Sequence, residues 1–230
     1  KFFGWQIQPS KRTVQGELEK VISSFSDGEK IKVFGAGRTD TGVHALSQVA
    51  HFDLKTDLDT CSLIKAMNAN LSEDILIESL DVVPANFHAR YSAQLRYYRY
   101  QCYTGNNVLF RNQSWITGEL DQSILQSAAE TVIGEHDFLS FSKFRNDMKD
   151  TMCKIYESVW KKQDKMLIYY VSGNRFLHHM VRYLTGTMVE ISRGKCTIET
   201  FLSLLNNPEK NVQIFKAPPQ GLILYKVDYA

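Results

Sequence analysis

The sequence predicts an α+β chain made of two tandem β-α-β-β-α-β halves, the split βαβ (ferredoxin-like) arrangement, with mixed and antiparallel strand pairing. Three observations carry this. Windows with apolar residues at helical spacing alternate with short β-rich runs. In the second half they fall in the order strand, helix, strand, strand, helix, strand. In the first half the same order recurs without its opening strand, which is expected upstream of Lys1.

Val14, Leu18, Val21, Ile22 and Phe25 share one stripe and predict a helix over about 14–26. Ile31–Phe34 is a short β-rich run ending in glycines, and Gln48–Phe52 reads as the next strand. Leu63, Ile64 and Met67 mark a helix near 60–70. Ile75–Val83 predicts a strand that stops at Pro84, which has no N–H to donate. Leu95–Tyr103, rich in tyrosine, opens the second half as a strand. Ile124, Leu125, Ala128, Ala129 and Val132 predict a helix over 121–133. Met152–Lys161 and Met166–Ser172 read as a hairpin turning at Gln163-Asp164-Lys165. Leu177, Met180, Val181, Leu184, Met188 and Ile191 trace one stripe of a long helix over about 175–193. A shorter helix follows at 198–206, then a final strand at Leu222–Asp228. The domains expected are therefore 1–94 and 95–230.

Composition narrows the class. The chain has 230 residues, 43% hydrophobic and 23% charged, which suits a globular protein and excludes a disordered or fibrous one. The 27 basic and 25 acidic residues nearly cancel to +2, so net charge does not identify a partner. Cys61, Cys102, Cys153 and Cys196 are far apart with no C-x-x-C pair, which excludes the usual zinc and redox motifs. Their low density suits a reducing compartment, and four separate, mostly buried thiols are expected. No stretch approaches the roughly 20 apolar residues that a membrane span needs. The chain opens on Lys1 and runs directly into Phe2-Phe3-Gly4-Trp5-Gln6, and further residues are expected before it.

The segment Gly35-Ala36-Gly37-Arg38-Thr39-Asp40-Thr41-Gly42 is the chain's densest glycine cluster and lies between two predicted strands. Glycines allow tight turns and close ligand approach, and loops on rigid supports often carry function. A dinucleotide loop is excluded, because Asp40 stands where the third glycine of G-x-G-x-x-G belongs and no helix follows. The P-loop pattern is absent. On the residues alone two readings of Asp40 stand level: a cap on turn N–H groups, or a catalytic carboxylate.

The wider segment Gly37-Arg38-Thr39-Asp40-Thr41-Gly42-Val43-His44-Ala45 resembles the G-R-T-D-x-G-V-H-A signature of the TruA family of tRNA pseudouridine synthases. The likeness extends along the chain. Gly4-Trp5-Gln6 resembles the family's G-W-Q, and Val14-Gln15-Gly16-Glu17-Leu18-Glu19 its first helix. Asn68-Ala69-Asn70-Leu71 resembles N-x-N-L, and Phe87-His88-Ala89-Arg90 resembles F-H-A-R. Arg96-Tyr97-Tyr98-Arg99-Tyr100 resembles the K/R-x-Y-x-Y strand. Phe176-Leu177-His178-His179-Met180-Val181-Arg182 and Ala217-Pro218-Pro219-Gln220-Gly221-Leu222 resemble F-x-x-x-M-V-R and A-P-x-x-G-L.

The resemblance implies a cytoplasmic enzyme that isomerises uridine to pseudouridine in the anticodon stem-loop of tRNA, nominally at positions 38–40; the alternatives are a pseudouridine synthase for another RNA and a non-catalytic RNA-binding or remodelling protein of the same fold. It further implies a homodimer with a central RNA-binding cleft and no metal or nucleotide cofactor. The N1–C1′ bond breaks, the uracil turns, and C5 bonds to C1′. One carboxylate can serve as nucleophile or as base, and Asp40 takes that place. Arg182 is implied as its basic partner, Tyr98 as the residue packed on the target base, and Leu222 as a wall of the uracil pocket. Arg38 is implied in displacing the flipped base, which costs a few kcal/mol to unstack. His44 and Arg90, from their motifs, are expected at the substrate.

Charge patterning adds to this. Arg175, His178 and Arg182 fall at i, i+3 and i+7 of the predicted long helix and are expected to form one cationic face. No H-E-x-x-H pattern makes His178 and His179 metal ligands, so RNA contact or a satisfied polar role suits them better. From Val82 to Gly118 no acidic residue occurs, and Arg90, Arg96, Arg99 and Arg111 are interleaved with tyrosines. Arginine pairs with phosphate and stacks on bases, and aromatic rings stack on unpaired bases. Tyr97, Tyr100 and Tyr103 read as sheet tyrosines. A second basic stretch holds Lys143, Arg145, Lys149, Lys154, Lys161, Lys162 and Lys165. It is mixed with Asp147, Asp150, Glu157 and Asp164, and reads as a solvated surface.

Overall fold

In the computed structural model the described residues are 1–144, 146 and 150–229. Arg145, Asp147 and Lys149 of the second basic stretch lie outside them. Among the described residues the helices are α1 (Val14–Ser23), α2 (Thr60–Asn70), α3 (Gln122–Glu130), α4 (Met180–Ser192) and α5 (Ile198–Asn206). The strands are β1 (Phe34–Gly35), β2 (His44–Ala45), β3 (Ala50–His51), β4 (Ala93–Tyr103), β5 (Trp115–Ile116), β6 (Gly134–Asp137), β7 (Met152–Gln163), β8 (Met166–Gly173) and β9 (Leu222–Tyr229). The α+β class is as expected. The chain forms two compact units: Lys1–Gly42 with Gln48–Ala93 and Tyr229, and Val43–Ser47 with Gln94–Asp228.

The first unit is built on its two helices. Thr13 starts α1 by accepting a hydrogen bond from the Gly16 N–H, and Asp59 starts α2 by accepting one from Ser62. Leu18, Val21 and Ile22 of α1 meet Leu63 and Met67 of α2 in a core shared with Trp5, Ile31 and Val33. β1 and β3 pair antiparallel, Phe34 opposite His51 and Gly35 opposite Ala50. Residues 75–83, expected as a strand, belong to none. Ile75 and Ile77 do pack on the core, as their alternation suggested. The backbone of Ile77 is bonded by a side chain instead of a strand: its N–H donates to Asn68 Oδ1 at 2.8 Å, and its carbonyl accepts from Asn68 Nδ2 at 2.9 Å.

The second unit carries a seven-stranded sheet in the order β2-β9-β4-β8-β7-β6, with β5 alongside β4. Counting β4, β7, β8 and β9 as its first to fourth strands, they lie in the spatial order 4-1-3-2. β4 and β7 both pair antiparallel with β8, and β2 pairs parallel with β9. Alternation along β4 sends Tyr98, Tyr100 and Cys102 to the buried side, in register with Val171, Tyr169 and Leu167 of β8. The hairpin turns at Asp164, which takes a left-handed φ of 54°. Leu125, Ala128 and Ala129 of α3 and most of α4 are buried.

Two expectations are corrected here. α4 begins at Met180, not near 175, because His179 stands at φ 67° and breaks the helical path. Arg175, His178 and Arg182 therefore do not form one helix face. The thiols are also less uniformly buried than expected: Cys102 and Cys153 are buried, Cys196 is half-buried and Cys61 exposed. Burial pushes the Cys153 thiol up to about 12, which suits an inert packing residue.

Candidate active site

Asp40 belongs to the first unit and is half-buried. Hydrogen bonds fix the backbone that leads to it. Ala36 N–H donates to the Val49 carbonyl at 2.7 Å, and Gln48 Nε2 donates to the Gly37 carbonyl at 2.9 Å. Trp5 N–H donates to the Thr39 carbonyl, one residue before Asp40, at 3.0 Å. These bonds hold the stretch of backbone that leads into Asp40 in place. Arg38 and Arg90 are exposed in the same unit, and the Arg90 guanidinium lies 5.7 Å from the Tyr91 ring centroid.

The second unit holds the other expected site residues. Arg182 on α4 is only 7% exposed, where a surface arginine would be open to water. Its Nε donates to the Ala217 carbonyl at 2.8 Å, and Ala217 N–H donates to the Arg182 carbonyl at 3.0 Å. This reciprocal pair clamps residues 215–217 to the helix. The approach is so close that a Cβ on Gly186 would fall 2.1 Å from the Phe215 carbonyl oxygen, so no other residue fits there. One residue beyond Ala217, the Pro218 carbonyl accepts the Tyr100 hydroxyl at 2.7 Å. The segment leading into Leu222 is thus held by α4 and β4 through two consecutive residues, Ala217 and Pro218. Leu222 is buried at the start of β9.

Tyr98 lies on the same face of β4 as Tyr100 and meets Phe176 edge-on, with centroids 5.1 Å apart. β4, α4 and the 217–222 segment therefore place Tyr98, Arg182 and Leu222 on one connected frame. His44, on β2, is exposed and its Nε2 lies 2.8 Å from the Asn112 carbonyl. His178 is exposed, and its ring lies tilted against that of His179, with centroids 3.9 Å apart. Arg175 is exposed and pairs with Asp150 at 2.7 Å, so its charge serves a local contact.

Tyr100, Ala217 and Phe176 are supports that residue reading alone did not single out. Tyr100 read as a sheet tyrosine, and nothing local in the sequence announces that its hydroxyl reaches Pro218. Burial first, then the neighbouring Cys102, hold that hydroxyl well above the usual tyrosine range against an opposing pull from Arg182, so it remains a donor. Tyr100, Ala217 and Phe176 all stand inside the family-like motifs, which is the signal that could have found them.

The family model described as tRNA pseudouridine synthase matches residues 1–92 and 128–230. The chain is 42% identical over 233 residues to tRNA pseudouridine synthase A of Dictyoglomus turgidum, covering 99% of this chain and 94% of that protein. It is 44% identical to the protein of the same name from Dictyoglomus thermophilum, with the same coverage. For the Geobacillus sp. WCH70 protein the identity is 40%, covering 99% of this chain and 93% of the relative.

Proposed function

This chain belongs to the tRNA pseudouridine synthase family, and we propose that it isomerises uridine to pseudouridine in the anticodon stem-loop of tRNA, with Asp40 as the catalytic carboxylate. The observation that carries the reading is the intact Gly37–Ala45 motif, with Asp40 on a backbone braced by Trp5 and Gln48. Breaking N1–C1′ and joining C5 to C1′ releases the C5 proton and returns a proton to N1, so the reaction is balanced without any oxidant or reductant. A single carboxylate can attack the sugar or the base, or can remove a ribose proton.

The other assignments follow the same reading. Arg182 is the basic partner, Tyr98 packs on the target base, and Leu222 walls the uracil. Arg38 acts on the flipped position, and His44, Arg90, Arg175 and His178 meet the RNA. The two domains are taken as 1–94 and 95–230. The enzyme acts as a homodimer in the cytoplasm and takes tRNA as its partner. Among the described residues no helix is long and apolar enough to cross a membrane.

Release of tritium from 5-tritiated uridine in tRNA follows the reaction directly, because C5 loses its hydrogen. Asp40→Asn is expected to lower turnover by roughly 10²–10⁴-fold, while tRNA binding stays within about twofold in a filter-binding assay. Near-normal tritium release from Asp40→Asn would remove Asp40 from the chemistry.

A further inference from the structure

We propose that Gly4 and Trp5 are positioning residues for the reaction, setting where the Asp40 peptide stands. This rests on the reading of Asp40 as the catalytic carboxylate. Residues 3–5 run beside the start of α1 and are bonded to it along their length. Phe3 N–H donates to the Arg12 carbonyl at 2.8 Å, Val14 N–H to the Gly4 carbonyl at 3.2 Å, and Gln15 N–H to the Trp5 carbonyl at 3.0 Å. On its other side the segment reaches the motif loop, where Trp5 N–H donates to the Thr39 carbonyl at 3.0 Å. The Trp5 side chain is 5% exposed in the first unit's core. Its ring lies so close to Gly35 that a Cβ there would stand 2.6 Å from it. A short rigid strut therefore joins α1 and the core to the backbone of Asp40.

Gly4 is the point of closest approach. Its φ of 87° is left-handed, and a Cβ there would stand 2.7 Å from the Thr39 carbonyl oxygen. The same Cβ would stand 3.2 Å from the Asp40 carbonyl carbon and 3.2 Å from the Thr41 nitrogen. All three atoms are backbone, so no flexible side chain can turn aside to relieve the contact. Backbone must therefore give, and because α1 holds the Gly4 side through Val14 and Gln15, the shift is expected to fall on the peptides that flank Asp40. A misplacement of about 1 Å at a reacting group can cost about 10²-fold in rate.

The experiment compares single-turnover tritium release at saturating tRNA for wild type, Gly4→Ala, Gly28→Ala and Asp40→Asn, with tRNA affinity and thermal stability measured on each. Gly28 is the control. It lies in the same unit at φ 88°, but a Cβ there meets nothing within 4 Å. It bears the same left-handed backbone penalty without touching the loop. Gly4→Ala is expected to slow the chemical step about 10- to 100-fold with tRNA affinity unchanged within about twofold. Gly28→Ala is expected to lose thermal stability while keeping the wild-type rate.

If Gly4→Ala is no slower than Gly28→Ala while Asp40→Asn is inactive, the strut is overturned and the carboxylate reading stands. If Asp40→Asn is active, the carboxylate reading fails whatever Gly4→Ala does. Should Gly4→Ala be too unstable to assay, Trp5→Phe decides. It keeps the backbone N–H but shrinks the ring that seats the strut on Gly35. A reduced rate at unchanged tRNA affinity supports the proposal, and a wild-type rate overturns it.

Discussion

The His51 ring stacks on Phe34 with centroids 5.1 Å apart, and its Nδ1 accepts the Ala89 N–H at 3.1 Å. The His88 ring lies 4.5 Å away. Burial first, and the neighbouring His88 second, hold His51 below the usual histidine pKa, against a smaller upward pull from Asp53 and a backbone contact at Phe34. The unfolded chain therefore takes up this proton more readily than the native one. The stability that neutral His51 contributes is complete above the unfolded value, about 6.5. It is lost progressively as pH falls through that value towards the lower native one. The urea midpoint is expected to drop when pH is lowered from about 7.5 to about 5.5, and His51→Phe should drop less. Equal drops in the two proteins would mean that this ring does not govern acid sensitivity. Arg182 illustrates legibility at the same scale. Its motif marked it, but its near-complete burial and its bond to Ala217 depend on a segment 35 residues away in the chain.

Among the elements, the stretch after α2 is the most instructive. Ile75 and Ile77 alternate as strand residues do, and both pack on the core. A strand, however, is defined by where its backbone bonds go, and here the amide of Asn68 takes both backbone groups of Ile77. Asn68→Leu keeps the side-chain size but leaves that N–H and carbonyl unpaired. It is expected to destabilise the protein by about 1–3 kcal/mol in urea denaturation. Asn70→Ala, which removes one bond to the Ala66 carbonyl, should cost less. An Asn68→Leu protein as stable as wild type would show that water replaces the amide at no cost. The long strands β4, β7, β8 and β9 were legible because each spans eight or more residues, a run long enough to display a β-rich pattern. β2, β5 and β6, with two to four residues each, are too short to display one. The early end given to α4 was wrong because its apolar stripe continues through Leu177, while the break is a backbone angle at His179 that no side-chain pattern encodes.

At the scale of the whole molecule, each unit has its own framework. The first is held by two packed helices, and the second by a sheet with helices that bury its tyrosine-bearing strands. The glycine-rich motif spans the boundary between them: Asp40 is in the first unit, and His44 is in β2 of the second unit's sheet. A homodimer is part of the proposed function. Light scattering at micromolar concentration is expected to give twice the 26.4 kDa of one chain. A mass of one chain over that range would take the dimer out of the proposal.

By itself the sequence determined the α+β class, the positions of most helices and long strands, and the motif that singles out Asp40. These are legible because periodicity and short motifs are local properties. Folding decided the supports. Trp5 N–H on the Thr39 carbonyl, the Tyr100 hydroxyl on Pro218 and Arg182 on Ala217 each join residues at least 34 positions apart. Such bonds exist only once packing has set the distance and angle between donor and acceptor. Asp40 could be named from one line of sequence, but what holds its backbone still could be seen only after Gly4 and Trp5 had folded against it.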